Sequence, residues 1–124
     1  MTGLEDRCIL VVEDEALIAM MIEDSLRAAG AEIIGPAFSV AGALQLIGAV
    51  AAEGTLDAAA LDVGLEDGMV LPVADKLAAL GVPFVFVTGY AEVRLGRHAH
   101  APVLVKPVAP EKLIAALADL LRAT

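Results

Sequence analysis

The chain has 124 residues, a net charge of −9 and 59% hydrophobic residues, with only 3% aromatic residues. This length suits one domain, and the scattered Lys and Arg residues argue against binding to nucleic acid or to an anionic membrane. No apolar run approaches the roughly 20 residues that would span a bilayer. The single cysteine, Cys8, excludes an intrachain disulfide and favours a reducing, cytoplasmic compartment, in which it would be a small buried hydrophobe.

The first part of the chain alternates short apolar runs with segments of helical period. Residues 8–12 are nearly all apolar, as expected for a strand that is buried on both faces. A helix is predicted over residues 16–29, with Gly30 as its C-terminal cap. A weaker second strand at residues 33–34 is expected to be closed by the Gly-Pro pair that follows it, and Ser39 is expected to cap the second helix.

The middle of the chain repeats this alternation. Residues 57–61 are predicted to form the third strand, and a loop rich in glycine and acid follows at residues 64–68. The third helix is predicted to run to about Leu80, which is expected to face inward. Pro72 must lie near the first turn of that helix, because an interior proline would break it. The fourth strand is predicted at residues 83–87.

The last part of the chain contains a short predicted helix at residues 91–97 and a fifth strand at residues 102–105. Pro110 suits the first position of a final helix. His98 and His100 are expected to be exposed loop residues, because no cysteine or acid accompanies them as further metal ligands would. Five β-α repeats predict a doubly wound α/β fold with a parallel sheet, right-handed crossovers and helices on both faces.

Acidic, hydroxyl and amino groups recur where the predicted strands end. The residues concerned are Glu13, Asp14, Asp62, Thr88 and Lys106. Because the carboxyl ends of parallel strands share the edge at which ligands bind, these groups should meet there. Two carboxylates about 4 Å apart repel by roughly 4 kcal/mol near a protein surface, so the cluster needs either a cation or raised pKa values. Mg²⁺ (or Mn²⁺) suits a small set of hard oxygen ligands, and Asp62 is the best candidate for a nucleophile that forms an aspartyl-phosphate.

Each of these residues has an ordinary structural interpretation when it is taken singly. Asp62 could be a loop or helix-cap acid, and Glu13 with Asp14 could begin the first helix, where the helix dipole favours acids. Threonine is common at strand ends, and a lone lysine such as Lys106 is usually solvated. Only their joint occurrence, in this order and at these strand ends, favours a site for a metal and a phosphoryl group.

Four segments give the chain a resemblance to the receiver domains of response regulators, the phospho-accepting modules of two-component signalling. They are VVEDE at 11–15, ALDVGLEDG at 60–68, FVTGY at 86–90 and LVKP at 104–107. The resemblance covers essentially the whole chain. It implies the flavodoxin-like (βα)5 receiver fold, with a five-stranded parallel sheet in the order 2-1-3-4-5.

The resemblance also implies a role for each acidic residue. Asp62 would be the phosphoacceptor. Mg²⁺ would be bound by Asp14, Asp62 and the backbone carbonyl of Gly64, and Glu13 would complete the acidic pocket. The partners implied are a histidine kinase or phosphotransfer protein, which supplies the phosphoryl group, and a downstream protein of unknown identity.

Further implied roles concern the switch that reports phosphorylation. Lys106 and Thr88 would contact the phosphoryl group, and the peptide before Pro107 would be cis. Many receivers carry an inward-turning aromatic residue three places before the lysine, but this chain has Val103 there. We therefore hypothesise that Tyr90 replaces it as the readout. FVTGY is also a partial match to the signature of the alphaproteobacterial single-domain receivers called the FATGUY group.

The leading hypothesis is a stand-alone receiver without an output domain, which signals by protein contact and is not an enzyme beyond its own phosphorylation chemistry. A phosphate sink that competes for a kinase and a receiver cut from a larger hybrid kinase are the alternatives. An aspartyl-phosphate hydrolase is disfavoured, because Gly64 stands where a second acid is expected. A flavodoxin-like cofactor binder is disfavoured because acids, and not a glycine- or hydroxyl-rich phosphate cradle, follow the first strand.

Overall fold

Five parallel strands form the central sheet of the protein, seen here in a computed structural model that describes residues 2–89 and 94–123. The strands of the sheet and of one short hairpin are β1 (Cys8–Val12), β2 (Glu32–Ala37), β3 (Ala58–Asp62), β4 (Gly64–Leu65), β5 (Gly68–Met69), β6 (Phe84–Thr88) and β7 (Val103–Val105). The sheet has the order β2-β1-β3-β6-β7, and β4 pairs with β5. Without the hairpin strands this is the predicted order 2-1-3-4-5, so the fold prediction is confirmed.

Four α-helices cover the sheet within the described residues. They are α1 (Ala16–Ala28), α2 (Val40–Ala51), α3 (Leu71–Ala79) and α4 (Pro110–Ala123). The helix predicted at residues 91–97 falls partly outside the described residues, and what is described there includes a 3₁₀ turn, Gly96–His98. No helix in the ranges 2–89 and 94–123 is long and apolar enough to cross a membrane.

The helix ends follow the predicted signals. Gly30 has a φ of +96°, a conformation that glycine adopts at no steric cost, and it turns the chain out of α1. Ser39 caps α2, since its Oγ accepts the N–H of Gly42 at 3.0 Å. Pro72 lies in the first turn of α3 and Pro110 begins α4, so neither proline interrupts a helix.

The sheet separates two apolar cores, because successive residues of a strand point to opposite faces. Leu61 and Phe86 face α2 and α3 on one side. Ala60 and Val85 face α1 and α4 on the other side. Every residue of β3 and β6 is buried, which explains why these strands read as continuous apolar runs. Among the residues that the structure describes, the ends of β3 and β6 are therefore where this inner sheet presents polar groups to a ligand.

Several local predictions are wrong. The second strand does not end at its Gly-Pro pair but runs to Ala37, because the N–H of Glu13 donates to the Ala37 carbonyl at 2.9 Å. A proline is tolerated here since β2 is an edge strand. The predicted loop after β3 contains the β4–β5 hairpin. Leu80 follows the last turn of α3 and is 43% exposed. Cys8 is only half-buried, since it begins β1 beside exposed Glu32.

Candidate functional site

The pairing of β1 with β3 brings two of the predicted site residues together. Val12 is the register partner of Leu61, so the residues that follow them, Glu13 and Asp62, lie side by side. Both are buried, at 1% and 7% exposure. Because the apolar strand residues on either side exclude water, the two carboxylates interact in a medium that screens charge poorly.

Backbone hydrogen bonds continue the sheet past these strand ends. The N–H of Glu13 donates to the carbonyl of Ala37, and the N–H of Lys106 donates to the carbonyl of Thr88 at 2.7 Å. The residue after Asp62, Val63, is bonded to β6 in the same way, at 3.2 Å from the carbonyl of Val87. The site side chains therefore start from a rigid edge of the sheet.

Three carboxylates share this edge, as predicted. Glu13, Asp14 and Asp62 each offer an oxygen, and these oxygens all lie within 4.8 Å of one another. Glu13 Oε2 also accepts the N–H of Glu15 at 3.1 Å, which fixes its orientation. Asp14 is only half-buried, so the cluster has a deep side and an open side from which a ligand can approach.

Lys106 supplies a positive charge on the deep side of the cluster. Its Nζ lies 2.7 Å from Glu13 Oε1 and 3.6 Å from Asp62 Oδ2. Glu13 Oε1 makes no hydrogen bond of standard geometry to the described residues, and the ion pair with Lys106 compensates it electrostatically. Burial lowers the pKa of Lys106, but the close contact with the Glu13 carboxylate and the charges of Asp62 and Glu13 outweigh burial and raise it. The lysine is therefore a permanent cation.

The surroundings of Asp62 disfavour its ionised form. The pKa of Asp62 is raised to about 7, first by burial and then by the hydrogen bond with Glu13 and the charge of Glu13, against the opposing charge of Lys106. One ammonium group does not neutralise three carboxylates. A divalent cation on the open side would supply the missing charge, and the available ligands are the hard oxygen atoms that Mg²⁺ prefers. The acidic cluster thus fits the predicted cation.

Of the remaining predicted residues, Thr88 and Gly64 lie where β6 and β3 end at this edge, whereas Val103 begins β7. Thr88 ends β6 and is 2% exposed, and the peptide between Lys106 and Pro107 is cis, as predicted. Gly64 begins the hairpin two residues after Asp62. Val103 pairs with Phe86 and packs, half-buried, against the core under α2 and α3. The proposed readout residue, Tyr90, lies outside the described residues.

A buried polar contact corrects the prediction that His98 is an exposed loop residue. His98 is 8% exposed, and its Nε2 lies 2.7 Å from Asp75 Oδ1 on α3. Its ring meets that of Phe84 edge to face, with 5.4 Å between the ring centroids. His100 is exposed, as predicted. No local sequence pattern could have indicated the contact between His98 and Asp75, because Asp75 is 23 residues away on another element.

A second missed residue is Asp67, at the tip of the β4–β5 hairpin. Its two carboxylate oxygens accept the N–H groups of Val40 and Ala41, at 2.8 and 3.2 Å. These two backbone donors lower the pKa of Asp67. The sequence did carry a signal for the hairpin, since Asp67 is followed by Gly68, and an Asp-Gly pair is a common turn signal between strands.

An apolar surface adjoins the site. Exposed side chains on the first two turns of α1 include Leu17, Met20 and Met21, at 69%, 56% and 61% exposure. A cavity of about 320 Å³ lies beside them, between α1 and the segment that joins β7 to α4. Its walls include Ile22, Val108 and Lys106. Lys106 therefore belongs to both the acidic cluster and the wall of this apolar cavity.

Comparison with known proteins gives similarity at the level of structure. No family model matches the chain, and no curated protein matches it significantly. The response regulator PhyR from Brucella abortus is 25% identical with a TM-score of 0.81, and the match covers 98% of this chain and 51% of that protein. The chain thus spans about half the length of that relative.

Two further structures match over more of their length. A response regulator receiver protein from Sinorhizobium medicae WSM419 is 25% identical with a TM-score of 0.84, covering 97% of this chain and 98% of that one. A response regulator from Burkholderia pseudomallei is 25% identical with a TM-score of 0.76, and the match covers 95% of this chain and 72% of that one. That protein was solved with a phosphorylated aspartic acid, a calcium ion and citrate. The chain has the response-regulator receiver fold, and its structural neighbours are receiver domains.

Proposed function

We propose that residues 1–124 form one phospho-accepting signalling domain whose phosphoacceptor is Asp62. The observation that carries this proposal is the meeting of Asp62 with two further carboxylates and Lys106 at one edge of the sheet. A lone buried acid would need only a hydrogen-bond partner. This set instead combines a nucleophile, ligands for a cation and a fixed positive charge, which are the parts that phosphoryl transfer requires. The receiver fold favours a signalling role over that of a classical enzyme.

The proposed donor is a phosphohistidine on a histidine kinase or phosphotransfer protein. A carboxylate oxygen of Asp62 forms the new P–O bond while the P–N bond of the phosphohistidine breaks, and the electron pair of that bond stays on the imidazole nitrogen. Lys106, 3.6 Å from Asp62 Oδ2, can then pair with an equatorial phosphoryl oxygen. The Thr88 hydroxyl would donate to another phosphoryl oxygen and so report the modification.

The proposed cofactor is Mg²⁺ (or Mn²⁺), held by Asp14, Asp62 and the carbonyl of Gly64 in the pocket that Glu13 completes. The mutual proximity of the carboxylates supports this, as does the calcium ion in the Burkholderia pseudomallei protein. When bound, the cation supplies positive charge against the carboxylates and the phosphoryl oxygens. The ionised form of Asp62, which burial disfavours, is the form that attacks phosphorus.

The apolar surface of α1 supports docking of the donor protein at this edge. Three residues separate the end of β1 from the start of α1, so Leu17 and Met20 lie in the turns of α1 nearest the acidic cluster. The adjoining cavity shares Lys106 with the site. A donor that reaches Asp62 must cover this edge, and burying exposed apolar side chains there would stabilise the complex. We place the protein in the cytoplasm with such a donor, which the half-buried single cysteine permits.

Phosphotransfer profiling tests this function. The purified protein would be mixed with each autophosphorylated histidine kinase of its source organism, and transfer of label would be followed with time. We expect rapid labelling by one or a few kinases and none of Asp62→Asn. Asp119→Asn, an exposed change on α4, is the matched control and should label as wild type. Equal labelling of wild type and Asp62→Asn would contradict the proposal.

The docking surface is tested by separating protein donors from small ones. Leu17→Ser and Met20→Ser should slow transfer from the kinase by at least about tenfold, as loss of interface anchors does, and should leave labelling by acetyl phosphate unchanged. Leu80→Ser is the control, because Leu80 is also exposed but directly follows α3, at the opposite edge of the sheet. Normal transfer to both α1 variants would show that the donor docks elsewhere.

A further part of the proposal concerns the residue that communicates phosphorylation of Asp62 to the downstream protein. Val103 is not aromatic, so we propose that Tyr90 is the readout. Tyr90→Ala should then spoil the response of the downstream partner and spare phosphorylation of Asp62. Tyr90→Phe, which keeps the ring, is the control. An unchanged partner response in Tyr90→Ala would exclude this role.

A further inference from the structure

The hairpin that follows the proposed phosphoacceptor is tied to α2 through one side chain. Asp67 Oδ1 accepts the N–H of Val40 at 2.8 Å and Oδ2 accepts the N–H of Ala41 at 3.2 Å. Both donors belong to the first turn of α2, where backbone N–H groups have no partner within the helix. The negative charge of Asp67 also complements the positive end of the helix dipole. The tip of the hairpin is therefore fixed to an element that packs on the sheet.

Beyond its base, where Val70 bonds to Val63, few other contacts hold the hairpin. Its residues Gly64, Glu66, Gly68 and Met69 are exposed, and Leu65 is its buried apolar side chain, at 8% exposure. The two glycines contribute no side-chain packing. Leu65, which pairs with Gly68 beside the turn, is a single apolar anchor and does not by itself fix the direction of the hairpin. The two hydrogen bonds of Asp67 supply the second point of attachment that fixes this direction.

The direction of the hairpin matters because β4 begins at Gly64, two residues after Asp62. Val63, between them, is held on both sides, since its N–H donates to Val87 and its carbonyl accepts from Val70 at 2.9 Å. The backbone becomes free of the sheet only beyond Val63. Gly64 is the first residue of the hairpin and pairs with Met69, so the direction of the hairpin affects the position of its carbonyl.

We propose that Asp67 is a positioning residue of the cation site, which holds the carbonyl of Gly64 beside Asp14 and Asp62 by tying the hairpin to α2. This inference rests on the proposed function, because the carbonyl acts as a ligand only if this edge binds a divalent cation. Asp67 contacts no cation itself. It supports a ligand from outside the coordination shell, as many outer hydrogen-bond partners of metal ligands do.

Calorimetric titration of the full chain with Mg²⁺ alone tests the proposal. Asp67→Ala should weaken Mg²⁺ binding by about tenfold, the low end of what loss of outer support costs a metal site. Glu66→Ala is the matched control, because it removes the same charge from the neighbouring, exposed position. It should weaken binding by no more than about twofold, since solvent screens exposed charges. Asp67→Asn, which keeps one acceptor oxygen, should lie between wild type and Asp67→Ala.

The outcomes separate the positioning role from the function on which it rests. Unchanged Mg²⁺ affinity in both Asp67 variants overturns the positioning role, even if their melting temperatures fall. Equal losses in Asp67→Ala and Glu66→Ala also overturn it, because the effect would then be one of net charge. If Asp67→Ala does not fold, Asp67→Asn decides the question. A wild type that binds Mg²⁺ no better than Asp62→Asn overturns the proposed cation site and the positioning role together.

Discussion

Replacing the proposed phosphoacceptor by asparagine should stabilise the protein at neutral pH. The pKa of Asp62 is raised from 3.8 to about 7, first by burial and then by Glu13, against the opposing effect of Lys106. The folded state therefore binds this proton more tightly than the unfolded state does. Stability falls as pH rises from about 4 to about 7, and above that range the full free-energy cost of ionising Asp62 in the folded state is present. Asp62→Asn removes the ionisable group and with it this cost.

The size of the effect follows from the pKa. A pKa that is higher by about three in the folded state corresponds to about 4 kcal/mol, since each pKa unit is worth about 1.4 kcal/mol. About 2–3 kcal/mol of this lies between pH 5 and pH 7. Relaxation of the open side of the cluster around half-buried Asp14 will reduce this free energy, so we expect Asp62→Asn to be more stable than wild type by about 2–3 kcal/mol at pH 8.

Urea denaturation in EDTA at several pH values between 5 and 8 measures this difference. The free energy of unfolding of wild type should fall relative to that of Asp62→Asn as pH rises, and Mg²⁺ should restore it in wild type alone. Asp24→Asn, an exposed change on α1, controls for loss of one negative charge. Parallel curves for wild type and Asp62→Asn would refute the reasoning, because Asp62 would then titrate alike in the folded and unfolded states.

Three further substitutions test other parts of the structure by thermal or urea denaturation. Lys106→Met should destabilise the protein by about 2 kcal/mol at pH 8, because the buried Glu13 loses the ammonium 2.7 Å away, and unchanged stability would show that this ion pair contributes nothing. His98→Ala should cost about 2–3 kcal/mol in lost packing and hydrogen bonding, whereas exposed His100→Ala should cost less than about 0.5 kcal/mol; similar costs would contradict the burial of His98. Gly35→Ala should lower the free energy of unfolding by about 2 kcal/mol, because Gly35 has a φ of +103° and an added Cβ would lie 2.9 Å from two backbone atoms. Gly48→Ala, in open space on α2, should raise the free energy of unfolding by about 1 kcal/mol. The same sign for both glycine variants would contradict this reasoning.

The sheet and the main residues of the candidate site could be predicted because both depend on short-range patterns. Apolar runs of about five residues mark strands that are buried on both faces, and β3 and β6 are indeed buried throughout. Each polar residue of the site directly follows such a run. Parallel topology then brings Glu13, Asp62 and Lys106 to one edge without any further information from the sequence.

The contacts that were missed join polar groups far apart in the chain. His98 meets Asp75 across 23 residues, and Asp67 meets the start of α2 across 27 residues. Neither contact produces a helical or strand periodicity in the sequence, because each depends on a single polar residue whose neighbours are of mixed type. Leu80 was misplaced for a related reason. Helical period predicted a buried position, but α3 ends before it and the chain turns away at Gly81, whose φ is +72°.

The most direct test of the account is to determine where a phosphoryl group attaches. The protein would be incubated with acetyl phosphate and Mg²⁺, its intact mass measured, and the modified residue located by peptide mapping. We expect one phosphoryl group on Asp62, none in Asp62→Asn, and none in EDTA, because the three carboxylates lie within 4.8 Å of one another and need a cation to admit a further anion. A phosphoryl group on any other residue, or equal labelling with and without Mg²⁺, would contradict the account.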